Sequence, residues 1–455
     1  MPPENQIVPR GLRGHWRTLT IAQRHAFTAC FLGWALDAFD YFLLVFCIPS
    51  ISSTFHVGTA AVAEALFLTL AFRPVGAFLF GLLAERYGRR PTLTLNIACY
   101  AALELACAFA PSLHGLLLLR ALFGIAMGGE WGVGAALAFE TLPARGRGFF
   151  SGILQEGYAA GYLLASVVFG LCYPPLVSLA VHFHLSSVAG TPATSFAWRG
   201  LFLLGALPGL LSIYIWRKVP ESPIWLANRQ NSPVPTVHAQ PLHNAPAGRL
   251  VPARGSVGVW LRTYGGTFLF LILLMAGFNA FSHGTQDLYP TFLLRDHHAT
   301  PHEVGAIGVL YNIGAILGGI LFGTLSEKWG RKRTIITAAL LALPCIPLYA
   351  LAPSLPLLAC GAFLMQFMVQ GAWGVVPAYL SELSPGPLRA VFPGLAYQLG
   401  NLLTSRNSVL QAQAAVHYGV HGSLAPVLAV TVLMVAIYLA VITSFGRESR
   451  GNVLS

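Results

Sequence analysis

Asp37 and Asp40 stand three residues apart in the otherwise apolar run Trp34-Ala-Leu-Asp37-Ala-Phe-Asp40-Tyr41, so a helix places both carboxylates on one face. Arg73 interrupts a second apolar run eight residues before Gly81, about 12 Å from the end of that run at 1.5 Å per residue. An ionised group at such depth costs roughly 2.5–3.5 kcal/mol on insertion scales, so each needs a partner or a task. Asp37 or Asp40 is the nearest counter-charge for Arg73 in sequence. Such a pair is either a fixed packing contact or a switch that a proton opens by neutralising the carboxylate. A guanidinium freed in this way can take a carboxylate anion through two parallel hydrogen bonds.

A third polar set, Asn279, Ser282, His283, Gln286 and Asp287, lies within one apolar stretch. At 100° per residue the first four fall within about 100° of one another, with Asp287 at the flank, forming one inward-facing stripe. Its amide and hydroxyl groups can hold an oxygen-bearing organic acid, and a His–carboxylate pair titrates near neutrality. His283 and Asp287 are therefore an alternative to Asp37 and Asp40 as the place where a proton is carried. Gln155, Tyr158 and Tyr162 share a further face, with Glu156 at its edge, and Gln398, Asn401, Ser405 and Ser408 form another stripe. Either face lines a cavity or bonds one helix to the next. Arg406 stands about 80° from the last stripe and is expected to face a seam between helices. Arg120, Glu104, Glu130 and Glu140 are expected to act as charge partners, with Arg120 pairing across its bundle and Arg145 or Arg147 reaching Glu140; proton carriage is the alternative for the three glutamates.

The elements that position these groups follow from composition. Of the 455 residues 55% are hydrophobic and 9% charged, whereas a soluble chain carries about 25% charged residues. Apolar runs near 26–50, 60–84, 91–110, 115–138, 148–172, 199–217, 266–290, 304–326, 334–352, 356–380, 390–415 and 424–445 each approach the roughly 20 residues that a membrane-spanning helix needs. The expected class is all-α integral membrane, in contact with lipid. The net charge of +11 does not indicate nucleic acid: of the 27 Lys and Arg, all but Arg73, Arg120, Arg199, Arg295 and Arg406 fall in the N-terminal arm, the even-numbered connections or the tail. The positive-inside rule then places both termini in the cytoplasm. Residues 1–24 contain no apolar core, so no cleavable signal is expected. The seven cysteines lie in or at the ends of apolar runs without CxxC spacing, which suits small buried hydrophobes. His297, His298 and His302 lack a ligand spacing and read as solvated loop residues. No metal, cofactor or nucleophile–base constellation is expected, and no enzymatic role.

Between Val219 and Gly258 the pattern becomes polar and Pro-rich, opening with Pro220-Glu-Ser-Pro-Ile-Trp-Leu226. This divides the chain into an N-terminal six-helix bundle (1–220), a cytoplasmic linker (221–260) and a C-terminal six-helix bundle (261–455). An internal repeat supports the division. Gly81, Glu85, Arg86, Gly88 and Arg89 follow the second span, and Gly323, Glu327, Lys328, Gly330 and Arg331 follow the eighth, at an offset of 242 residues. The glycines are expected to permit a turn and close helix approach, and Glu85 and Glu327 to pair with cations or helix ends in a gate. The same offset carries Asp37 onto Asn279 and Asp40 onto Ser282, and brings Gln155 beside Gln398.

A G-x-x-x-[DE]-[RK]-x-G-[RK]-[RK] loop at matched places in two six-span halves resembles the signature of the major facilitator superfamily over nearly the whole chain. That resemblance implies two bundles rocking around a midplane site in alternating access. Within it, N-x-x-[ST]-H-x-[ST]-Q-D-x-x-x-T at residues 279–291 is similar to the signature of the Jen-type lactate/pyruvate–proton symporters, and every specified position matches. The segment Arg120-Ala-Leu-Phe-Gly-Ile-Ala-Met-Gly-Gly129 resembles that family and the neighbouring sialate–proton symporters. The family implies proton-coupled uptake of short monocarboxylates. It also implies that His283, Gln286 and Asp287 bear on transport, and the Gln398–Asn401 region on substrate choice. The chain departs from fungal members in its short N-terminal arm. The expected partners are a small organic acid, protons and lipid, with the monomer as functional unit. A larger acid such as sialate or an aromatic acid is the alternative, and a transport-inactive carboxylate receptor is the alternative of another class.

Overall fold

The computed structural model describes residues 16–142, 150, 153–183, 193–230, 256–384, 392–418 and 422–449, and the described residues are helical throughout, without a strand. A bilayer leaves backbone N–H and C=O groups no water to bond, which forces each crossing to satisfy its own hydrogen bonds as a helix. Eleven segments are long and apolar enough to span a membrane: Ile21–Phe55, Thr59–Tyr87, Arg89–Ala108, Leu113–Thr141, Ile153–His182, Ala193–Lys218, Thr263–Asp296, Pro301–Trp329, Arg331–Ala350, Leu355–Leu380 and Ala425–Phe445. The expected eleventh crossing forms two helices, Phe392–Thr404 and Asn407–Tyr418, parted at Ser405 and Arg406. Neither piece is long enough alone.

Local chemistry sets several ends. Thr20 and Gln23 form a capping box at the start of the first span, and Thr300 and Glu303 form one at the start of the eighth, with Pro301 in the first turn. The seventh span breaks between Ser256–Gln286 and Tyr289–Asp296, where Pro290 cannot continue the hydrogen-bond ladder. The fifth span continues beyond residue 172 through Pro174 and Pro175 to His182, so the outer stretch from Tyr173 begins as helix. Tyr173 is buried there, its hydroxyl 2.5 Å from that of Ser50 in the first span. Residues 231–255, most of the expected linker, lie outside the described residues. The part that is described forms a short helix, Pro223–Gln230.

The first span is central: 83% of its apolar window is buried, against 33% for the second and the twelfth. Small residues let the surrounding helices touch backbone to backbone. The repeat is visible in this packing. Gly76 lies against the Ile125 carbonyl in the N-terminal half, and Gly318 lies against the Phe367 carbonyl in the other, each pair displaced by the same 242 residues. In both places a Cβ would collide with main chain of the facing helix.

Candidate functional site

The first, second and fourth spans enclose the charges of the N-terminal bundle. Arg73 Nη2 lies 3.6 Å from Asp37 Oδ2, with both residues almost wholly buried. The contact is an ion pair without a hydrogen bond: neither Asp37 oxygen nor Arg73 Nε or Nη2 has a hydrogen-bond partner. Arg73 Cζ also lies 5.8 Å from the centre of the Trp34 ring. Asp40 is not brought to Arg73. It faces the third and sixth spans, where Arg120 donates to Glu104 at 2.7 Å and where Gly205 leaves room for the carboxylates of Asp40 and Glu104. Both oxygens of Asp40 are buried without a partner. Glu130, expected to be a charge partner, has no hydrogen bond or ion pair among the described residues, because its carboxylate turns into the notch left by Gly33 and Gly134. Glu140 pairs with Arg89; its expected partners Arg145 and Arg147 lie outside the described residues.

The polar stripe of the seventh span meets the first span across the bundle interface. Asp287, at the helix break, accepts from the Tyr41 hydroxyl at 3.1 Å and from Ser408 at 2.6 Å. His283 Nδ1 stands 3.1 Å from the other Asp287 oxygen and 3.3 Å from the Tyr41 hydroxyl. Tyr41 and His283 are related by the 242-residue offset, so their contact marks the approximate two-fold between the halves. Gln286 accepts from the Tyr158 hydroxyl at 3.4 Å and donates to Gln366 at 3.2 Å, and Gln366 donates to Thr285 at 2.9 Å. Asp287 is thus held by hydrogen bonds that Asp37 and Asp40 lack.

Between the bundles a small cavity, about 20 Å³, is lined by Trp34, Gln155, Tyr158, Asn279, Ser282, His283, Gln370, Trp373 and Tyr397. That volume holds about one water, so the bundles are closed on each other here. Gln155, Tyr158, Asn279, Ser282 and His283, expected from sequence, line it directly. Arg73 is not among the lining residues, although it lies beside the Trp34 ring, which is; Gln286, Gln398 and Asn401 are also outside the lining. Asn401 is fully buried with no partner on its side-chain oxygen or nitrogen. The sequence reading missed Gln370, Trp373 and Tyr397. Gln366 and Gln370 recur four apart in an apolar run, the same signal used elsewhere, and Tyr397 is one offset from Gln155. Trp373 carries no such signal.

The two ends of the interface differ. Remote from the glycine loops, Gly305 of the eighth span lies against Gly170 of the fifth so closely that a Cβ would come 2.7 Å from Gly170 Cα and 2.7 Å from the Ser166 carbonyl. Arg406 faces the bundle seam as expected: it joins Glu64 across the bundles at 2.7 Å and covers the Phe67 ring. Arg295 donates to Thr59 at 3.0 Å nearby. His297 of this end packs edge-on against Phe292, 4.8 Å between ring centres, and burial pushes its imidazole below the usual range, unlike the solvated loop residue expected.

At the loop end each half carries the same latch. Arg89 grips Glu140 at 3.1 Å and Arg331 grips Glu382 at 2.9 Å, both through forked contacts and at the repeat offset. Glu221 accepts from the backbone N–H of Arg89 and Arg90, and Glu448 from those of Arg331 and Lys332, so a carboxylate caps the helix N-terminus in each half. Ser222 then bonds Glu140, and Ser449 bonds Glu382 at 2.6 Å. Gly88 and Gly330 have φ of 107° and 97°, and a Cβ on either would strike the capping carboxylate. Two expectations are corrected. Glu85 and Glu327 are exposed, with no ion pair on either carboxylate among the described residues; Glu85 contributes its main-chain carbonyl, which accepts from Trp225. Gly81 faces open space, and Gly323 has only an ordinary-to-tight approach to the Gly374 carbonyl at 3.2 Å. Arg86 lies over the Tyr87 ring.

Residues 26–233 match the family described as "Sugar (and other) transporter", and residues 285–452 match "Major Facilitator Superfamily". The "Probable 4-methylmuconolactone transporter" of Cupriavidus pinatubonensis is 29% identical over 398 residues, covering 87% of this chain and 85% of that protein. The "Carboxylic acid transporter protein homolog" of Saccharomyces cerevisiae is 28% identical over 408 residues, covering 88% of this chain and 63% of that one. The partially occluded, inward-open structure of the xylose transporter XylE from E. coli superposes with a TM-score of 0.69 at 16% identity, covering 95% of this chain and 100% of that chain, a likeness of fold. With two matched halves, twin latches and a cavity between them, the chain has the major facilitator fold, and along most of its length it is similar to proteins described as membrane transporters.

Proposed function

We propose that the protein is a proton-coupled symporter for a small organic monocarboxylate, working by alternating access with both termini in the cytoplasm and the monomer as its unit. One observation carries this reading: a buried guanidinium and carboxylate, 3.6 Å apart and without a hydrogen bond between them, stand beside Trp34 of the cavity wall. Protonation of Asp37 releases Arg73 toward the cavity, where the substrate carboxylate replaces the lost counter-ion. One monoanion and one proton move together, so transport is electroneutral. Asn279, Ser282, Gln155 and His283 supply hydrogen bonds to the remainder of the substrate. Asp287, already held by Tyr41 and Ser408, serves as the hinge point of the interface, and Asp37 with Asp40 as the proton site.

The lining favours a ring acid over lactate or pyruvate. Trp34, Tyr158, Trp373 and Tyr397 surround the cavity, and aromatic rings stack well on planar unsaturated acids while gaining little from a three-carbon chain. The similarity to a transporter described for 4-methylmuconolactone agrees with this preference, and the similarity to a carboxylic acid transporter agrees with the wider class. Uptake of radiolabelled benzoate and lactate into proteoliposomes with an inwardly directed proton gradient tests both levels. Accumulation of benzoate above lactate supports the ring-acid reading. Accumulation of lactate alone returns the substrate to short monocarboxylates, and transport indifferent to the proton gradient overturns the coupling.

A further inference from the structure

Among the described residues of the N-terminal bundle, Glu130 is a fully buried carboxylate with neither a hydrogen bond nor an ion pair, and the proposed cycle gives it no work. It is 1% exposed, and neither of its oxygens has a hydrogen-bond partner. Its Oε1 lies 2.5 Å from where a Cβ of Gly33 would stand and 3.3 Å from that of Gly134, so two missing side chains make its pocket. Cys30 and Asp37 of the first span stand on the Gly33 side of this notch, Cys30 bordering it and Asp37 one turn beyond Gly33, and Arg73 of the second span acts on Glu130 at longer range, without a hydrogen bond or ion pair. Tyr100 of the third span is fully buried and its hydroxyl has no hydrogen-bond partner. Along the first span, the levels of Asp40, Asp37 and Gly33 descend seven residues, about 10 Å, toward the end bearing the glycine loops. A buried carboxylate without a partner is costly unless it is neutral or spends part of a cycle charged beside a cation.

We infer that Glu130 is the inner station of a proton path confined to the N-terminal bundle, receiving the proton from Asp37 and releasing it toward the loop end. The inference rests on the proton-coupled reading above. Asp37 gives up its proton, re-forms its pair with Arg73, and Glu130 becomes neutral; the proton then leaves Glu130 when the loop end opens. The substrate path through the cavity and the proton path within the N-terminal bundle are thus separate, joined only at Arg73.

Wild type, Glu130→Gln and Glu130→Asp are compared in proteoliposomes by two readouts: uphill accumulation of benzoate driven by a pH gradient, and exchange of benzoate at equal pH on both sides. For one proton per anion, wild type approaches about tenfold accumulation per pH unit. Glu130→Gln is expected to equilibrate without accumulating while exchange stays within about twofold of wild type, since a permanent neutral can neither accept nor release a proton. Glu130→Asp is expected to regain part of the accumulation. Full accumulation in Glu130→Gln overturns the inference. Equal loss of both readouts in both variants, with wild-type melting behaviour retained, also overturns it and leaves Glu130 a packing residue. If wild type itself exchanges but never accumulates, the proton-coupled reading fails, a result distinct from either.

Discussion

Removing one member of the Arg73–Asp37 pair strands the other in a low-dielectric interior. At 3.6 Å and an effective dielectric of about 20, the attraction is about 4–5 kcal/mol. Arg73→Gln leaves Asp37 with no partner on either oxygen, and Asp37→Asn leaves Arg73 without its counter-charge, so each single change should lower stability by about 3–5 kcal/mol. The double variant Asp37→Asn/Arg73→Gln removes both charges and should recover most of that loss, so the coupling in a double-mutant cycle should exceed about 3 kcal/mol. Thermal unfolding of the purified proteins in detergent micelles between pH 5 and pH 8 measures it. The loss in Arg73→Gln should shrink as pH falls, because a proton neutralises the stranded carboxylate. The loss in Asp37→Asn should not, because a guanidinium does not give up its proton. Gradient-driven uptake should be absent from all three. A double variant that loses the sum of the two singles, with coupling below about 0.5 kcal/mol, would refute the charge-pair reasoning.

Gly305→Val should part the fifth and eighth spans at their closest approach at a cost of about 1–3 kcal/mol to the closed arrangement. In a cysteine-free background, labelling of Ser282→Cys by an impermeant maleimide from the remote side should rise about 5- to 150-fold. Arg331→Ala and Arg89→Ala break twin latches and should weaken loop-end closure by similar amounts, about 1–3 kcal/mol each, read as faster labelling of the same cysteine from the loop side. Trp373→Ala should raise KM for benzoate more than for lactate, by about tenfold if one aromatic stack is lost; equal effects would count against ring recognition.

Much of this was legible in the sequence. Apolar run length fixed the crossings because lipid imposes one solution on the backbone, and the 242-residue offset announced two like halves. Polar residues inside those runs identified the general region of the site, since burial in lipid is too costly for them to be incidental. The partners were a different matter. Sequence placed the latch acid at Glu85 and Glu327 by adjacency to the basic loop, whereas the carboxylates that meet Arg89 and Arg331 are Glu140 and Glu382, 51 residues on and one helix away. Asp37 and Asp40 share a helix face in any reading. Only the packing of the third and sixth spans gives Asp40 to the Glu104–Arg120 neighbourhood and leaves Asp37 with Arg73. Local spacing determines which face a side chain occupies, but a charge pairs with whatever the neighbouring helix brings within about 4 Å. The contact of Tyr41 with Asp287, the notch that isolates Glu130 and the approach of Arg73 to the Trp34 ring are all decided at that level, by the tertiary structure alone.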